Sequence, residues 1–117
     1  MPDPRRMFGN SAERHAARFL KQQGFKILER QFKTRFGEID LIARDGDEIV
    51  FVEVKARKSS AFGYPEEAVT AEKLRKITLV AEQYLQEKGL ATAPWRIDVV
   101  AMLIGDRIDV HHIKSVG

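Results

Sequence analysis

At 117 residues, with 44% hydrophobic and 32% charged side chains, the chain has the size and make-up of one folded domain, well outside the low-hydrophobicity, high-charge range of disordered segments. It contains no cysteine, which excludes disulfide frameworks, thiolate metal sites and cysteine nucleophiles and fits a reducing compartment. No apolar run reaches the roughly 20 residues a membrane helix needs, and residues 1–7 lack the apolar stretch of a signal peptide. The expectation is one domain over residues 1–117, cytoplasmic, with no membrane partner. The net charge of +3 is unevenly spread: residues 1–35 hold nine Lys/Arg against Asp3, Glu13 and Glu29, and the rest is net acidic. Such a field suits a polyanion such as nucleic acid, with Arg14, Arg18 and Lys21 as expected contacts. A merely solvated helix face is the plainer alternative.

Ala12, Ala16, Phe19 and Leu20 recur at helical spacing, Asn10 stands three residues before Glu13, and Gly24 stands where a helix normally stops. This predicts a first helix over 11–23, opened by a capping box. Three strands follow, over 25–32, 37–44 and 48–57, the last two joined at an Asp45-Gly46 turn. After a loop over 58–65 a long helix runs to about Lys88. Leu74, Ile77, Ala81, Tyr84 and Leu85 lie on one of its faces, Thr70 is available as a cap and Gly89 lies beyond its end. An apolar strand over 97–104, a Gly105-Asp106 turn and a last strand over 107–113 complete the chain. The order α-β-β-β-α-β-β predicts an α/β domain, one mixed sheet flanked by helices.

The carboxylates of the central hairpin draw attention through register. A two-residue Asp45-Gly46 loop pairs Asp40 with Phe51, whereas a four-residue loop pairs Asp40 with Glu53. Under either, Ile39, Leu41, Ala43, Val50, Val52 and Val54 form one apolar face. The other face carries Ile42, Ile49 and Phe51 near the turn, then Glu38, Asp40, Glu53 and Lys55 toward the open end. Two carboxylates about 6 Å apart repel by roughly 2 to 3 kcal/mol at an effective dielectric near 20, so the cluster calls for a cation. Magnesium, with manganese as a substitute, suits one or two carboxylates, waters and phosphate oxygens. Pairing of Lys55 with Asp40 or Glu53 on an ordinary sheet face is the bland alternative.

Gly37-Glu-Ile-Asp40 followed by Phe51-Val-Glu-Val-Lys55 resembles the PD-(D/E)xK signature of restriction-endonuclease-like nucleases, and the element order resembles their core. Nearly end to end, the chain is similar to the YraN-like family of bacterial proteins and, more distantly, to archaeal Holliday-junction resolvases. The resemblance implies a magnesium-dependent endonuclease acting on nucleic acid, with DNA the expected substrate and branched DNA within its range. Asp40, Glu53 and the Val54 carbonyl would ligate the metal, Lys55 would serve the attacking water, and Glu13 would complete the site. Ile39 stands where the signature has proline. Resolvase-like substrates would also suggest a homodimer. The competing function is a nucleic-acid-binding module of the same fold with a vestigial metal site.

Arg57, Lys58 and Lys73 are further candidates for holding phosphates, with solvation as the plainer role. Asp98, in an apolar strand, is read as the structural partner of an arginine. Tyr84 and Trp95 are read as core, and His15, His111 and His112 lack the spacing of a metal pair and receive no chemistry.

Overall fold

The computed structural model describes residues 4–58 and 69–116, with the backbone alone for residues 4–10. The elements are α1 (Pro4–Gln22), β1 (Lys26–Thr34), β2 (Gly37–Asp45), β3 (Glu48–Lys58), α2 (Ala71–Glu87), β4 (Trp95–Ile104) and β5 (Ile108–Ile113). They form one five-stranded sheet in the order β1-β2-β3-β4-β5. Only β3 and β4 pair in parallel, as a pair separated by a crossover helix must. The expected α/β architecture is the observed one.

Both faces of the sheet are covered. On one, Ala12, Ala16, Ala17 and Leu20 of α1 pack against Leu41, Ala43, Val50, Val52, Val100 and Met102. On the other, Ile77, Val80, Ala81, Tyr84 and Leu85 of α2 pack against Ile39, Ile42, Ile49, Phe51 and Ile97. The central strands β3 and β4 are therefore apolar at consecutive positions, such as Val50-Phe51-Val52, because odd and even side chains both meet a helix. Small alanines on α1 let that helix lie close to the sheet. Thr70 caps α2, its Oγ1 accepting the Lys73 amide at 3.2 Å. Tyr84 packs edge-on against Phe32 and Phe51, and Phe51 meets Trp95 the same way, so both aromatic residues belong to the core as expected.

Four local expectations are corrected. First, α1 begins at Pro4, so Asn10 lies within the helix and not at its N-terminal cap position; a proline near a helix start needs no amide partner, and the helix extends back to it. Second, α2 starts at Ala71, while the expected loop lies beyond Lys58 outside the described residues. Third, the β2–β3 turn is Gly46-Asp47, closed by Asp45 opposite Glu48. Gly46 takes the positive φ of 61° that the first central position of such a turn favours. The resulting register, with Leu41 opposite Val52, is the one expected of a four-residue loop, reached through a tight turn.

The fourth correction bears on the site. Ile39 packs with the α2 cluster and Leu41 with the α1 cluster, so strand alternation breaks between them. The β2–β3 ladder ends at Leu41–Val52. Across from the break, Gln31 of β1 has φ 51°, a conformation that costs a non-glycine residue on the order of 1 kcal/mol. Asp40 sits at this irregularity.

Candidate metal and phosphodiester site

Because the β2–β3 ladder stops at Leu41, the Val54 amide needs another acceptor, and Asp40 Oδ2 takes it at 2.8 Å. That bond fixes the Asp40 carboxylate between the strands, turned toward the remaining acids. Ligand oxygens of Asp40, Glu38 and Glu13 all lie within 4.8 Å of one another. Glu13 comes from α1, where Gln31 Nε2 donates to its Oε2 at 2.7 Å. The strained Gln31 thus belongs to the same constellation.

Glu53 reaches the site from β3 and is 8% exposed. Its carboxylate lies 3.3 Å from Lys55 Nζ and 3.5 Å from Lys73 Nζ. The bland pairing of Lys55 is therefore present, but with Glu53 and shared with a second lysine brought by the first turn of α2. Lys73, expected as a separate phosphate contact, belongs to the site itself.

The electrostatics follow from this crowding. Burial, then the Glu53 charge, then those of Glu13 and Glu38 push the Asp40 carboxyl up to about 7, against the lowering effect of the Val54 amide. For Lys55, burial opposes the charge, yet the hydrogen bond with Lys73 and the nearness of Glu53 and Asp40 outweigh it and hold the ammonium above its ordinary value. Lys73 is driven down by burial and by its bond with Lys55, with Glu53 offsetting part of that.

Three closely set carboxylates, one held on a backbone amide and strongly disfavoured as an anion, form a donor set of the hard, oxygen-rich kind a magnesium ion takes. The residues fit such an ion. Of the expected ligands, the structure brings Asp40 and Glu13 into one carboxylate group, whereas Glu53 lies outside that group, paired with Lys55 and Lys73, and acts on Asp40 through its charge. Glu38, expected in the charge cluster but not among the ligands, joins the carboxylate group, while Gln31 and the site role of Lys73 were missed. Glu38 had a signal in the sequence, its parity with Asp40.

The other basic candidates are surface side chains. Arg14, Arg18 and Lys21 are exposed along α1, and Arg14 and Arg18 line a groove of about 280 Å³ with His15, Met102, Ile104 and Ile108. Arg57 and Lys58 are exposed at the end of β3. Asp98, fully buried, is the arginine partner expected of it: Arg96 Nε donates to Oδ1 at 2.9 Å and Nη2 to Oδ2 at 3.2 Å. His112 Nε2 and the Ser115 amide complete its shell at 2.8 and 3.0 Å. Here His112 has a structural role that its spacing did not announce. Among the described residues, no helix is long and apolar enough to cross a membrane.

Comparison with known proteins places the chain in a wider group. The profile of the uncharacterised protein family UPF0102 matches residues 12–102, a stretch that includes Glu13, Asp40, Glu53 and Lys73. A UPF0102 protein of Caldicellulosiruptor saccharolyticus is 43% identical over 114 residues, covering 95% of this chain and 97% of that protein. A UPF0102 protein of Geotalea daltonii is 48% identical over 109 residues, covering 92% of this chain and 86% of that protein. Another, from Pelotomaculum thermopropionicum, is 44% identical over 103 residues, covering 88% and 86%. With the profile spanning most of the chain and relatives matched nearly end to end, the chain belongs to the uncharacterised protein family UPF0102.

Proposed function

We propose that the chain is a single-domain, magnesium- or manganese-dependent endonuclease that hydrolyses phosphodiester bonds in nucleic acid, DNA before RNA, in the cytoplasm. The observation that carries the reading is the Asp40 carboxylate, fixed at 2.8 Å on the Val54 amide with Glu13 and Glu38 oxygens within 4.8 Å, beside a Glu53 flanked by two lysines. An ordinary surface would not concentrate negative charge where burial already disfavours it.

Asp40, Glu38 and Glu13 would hold the ion, with Glu53 and the Val54 carbonyl adjoining. When bound, it would supply positive charge at the phosphate and acidify water. Lys55, held as an ammonium, orients the attacking water and stabilises charge that develops on the phosphate oxygens. Lys73, the second cation on Glu53, adds positive charge beside the phosphate. Glu53 keeps both amines in position. Arg14, Arg18, Lys21, Arg57 and Lys58 supply sequence-independent attraction to the backbone, and a homodimer would present two such sites to a branched substrate.

The double ion pair on Glu53 favours one second reading, a nucleic-acid-binding module whose metal site is vestigial. Cleavage assays with Mg²⁺ and Mn²⁺ on single-stranded, duplex, flapped and four-way-junction DNA separate the two. The nuclease reading expects metal-dependent products from the parent and none from Asp40→Asn. Salt-sensitive binding with no turnover on any substrate would favour the module.

A further inference from the structure

The turn between β1 and β2 has a composition that hairpin geometry does not explain. Thr34 pairs with Gly37, leaving Arg35 and Phe36 as a two-residue loop, a place where glycine, asparagine and aspartate usually stand. Gly37, at φ 143°, absorbs the backbone demand, and the Phe36 amide donates to Thr34 Oγ1 at 3.0 Å. The ring is 38% exposed, with the Arg35 guanidinium 4.9 Å from its centroid. A bulky aromatic residue thus stands at a hairpin tip with more than a third of its surface open to solvent.

Its position relates it to the acids. Phe36, Gly37 and Glu38 form one wall of a cavity of about 150 Å³ whose other wall is Glu53, Lys73, Lys76 and Ile77. Phe36 and Arg35 also border a shallower groove of about 550 Å³ along α2, with Leu79, Glu82, Gln83, Gln86 and Glu87. The ring therefore separates a side where Lys73 and Lys76 stand among Glu38 and Glu53, which takes a phosphate once a cation offsets those carboxylates, from a side of amides and carboxylates without a lysine. That second side repels phosphate and offers acceptors to the amino groups of a base.

From this division we infer that Phe36, backed by Arg35, is a stacking platform for an unpaired nucleobase, so that the substrate carries an unpaired nucleotide next to the phosphate presented at Glu38, Glu53 and Lys73. The inference rests on the nuclease reading for the meaning of that phosphate, but stacking is measurable without cleavage. A paired base has both faces covered by its neighbours and cannot use the ring. A single strand, a flap or a bulge can, with the neighbouring guanidinium adding a second planar, cationic surface.

The test is binding in EDTA, where no cleavage occurs, of a single-stranded oligodeoxynucleotide, a flapped duplex and a blunt duplex, each carrying 2-aminopurine as a stacking reporter. The parent should quench 2-aminopurine at an unpaired position. Phe36→Ala should abolish the quenching and lose about tenfold in affinity for the single strand and the flap while leaving the blunt duplex unchanged. Phe36→Trp should restore both signals. Equal losses on all three substrates, no loss on any, or quenching that survives Phe36→Ala would overturn the inference, the last two even if the parent proves to be a nuclease. Loss of quenching confined to unpaired substrates supports it even if no metal ever yields cleavage, because that failure concerns the acids alone.

Discussion

Asp40 and Asp98 are two carboxylates of one sheet, withdrawn from water to different degrees, with opposite fates. Asp98 is surrounded by donors: two from Arg96, one from His112 and the Ser115 amide. Burial alone would raise its carboxyl, but these bonds and the Arg96 charge hold it below the ordinary carboxylate value. Asp40 accepts the Val54 amide and otherwise faces Glu53, Glu13 and Glu38, which add to burial and push it up to about 7. The fold thus satisfies one buried acid and leaves the other under strain, and uncompensated charge of the second kind is what a functional site retains at the expense of stability.

The largest expected effect is at the satisfied acid. Arg96 also joins Asp45 and Glu48, so it ties the β2–β3 turn to β4. Arg96→Met should destabilise by about 3–5 kcal/mol in chemical denaturation, since it leaves Asp98 buried and poorly paired. The folded value of Asp98 lies below its unfolded one. Its contribution is therefore complete above the ordinary carboxylate range and is lost as pH falls through the folded value. Asp98→Asn should accordingly narrow its deficit against the parent as pH is lowered.

At Asp40 the sign reverses. A carboxyl raised in the folded state costs nothing below the unfolded value near 3.8, and the cost grows as pH rises from there to about 7, above which it is complete. Asp40→Asn, measured in EDTA, should therefore gain roughly 1–3 kcal/mol at pH 8 and approach the parent near pH 4. A loss of stability at pH 8 would show that Asp40 has a structural partner. The contrast between the two acids would then collapse.

The same contrast explains what the sequence disclosed. Element order followed from spacing, because the apolar stripe of α2, Gly24, Gly89 and Thr70 each act over a few residues. Asp98 stood out as a charge in an apolar strand. The Asp40 cluster was legible through motif and parity, whereas its geometry was not: the β2–β3 turn is displaced by one residue, since an Asp-Gly-Asp run offers glycine to either turn. The change of face between Ile39 and Leu41 lies opposite a positive φ at Gln31, a residue type that gives no warning of it. That Lys73 meets Glu53 is decided by how the first turn of α2 packs, a contact between residues 20 apart that no local pattern encodes.

The smallest expected effect sharpens the contrast from the surface. Replacing Arg14, Arg18 and Lys21 together with glutamine should reduce the slope of log affinity against log salt by about 2 to 3, with little change in folding stability. An unchanged slope, read by fluorescence anisotropy on duplex DNA, would remove α1 from the nucleic-acid contact and leave it as cover for the core.

The most direct test of the central claim, that Asp40 belongs to a cation site, is thermal melting of the parent and Asp40→Asn at pH 8, in EDTA and in saturating Mn²⁺. The parent should gain about 4 °C or more with Mn²⁺, whereas the variant should start higher in EDTA and not respond. A parent indifferent to Mn²⁺, with a variant that melts lower in EDTA, would contradict that claim and make Asp40 a structural residue like Asp98.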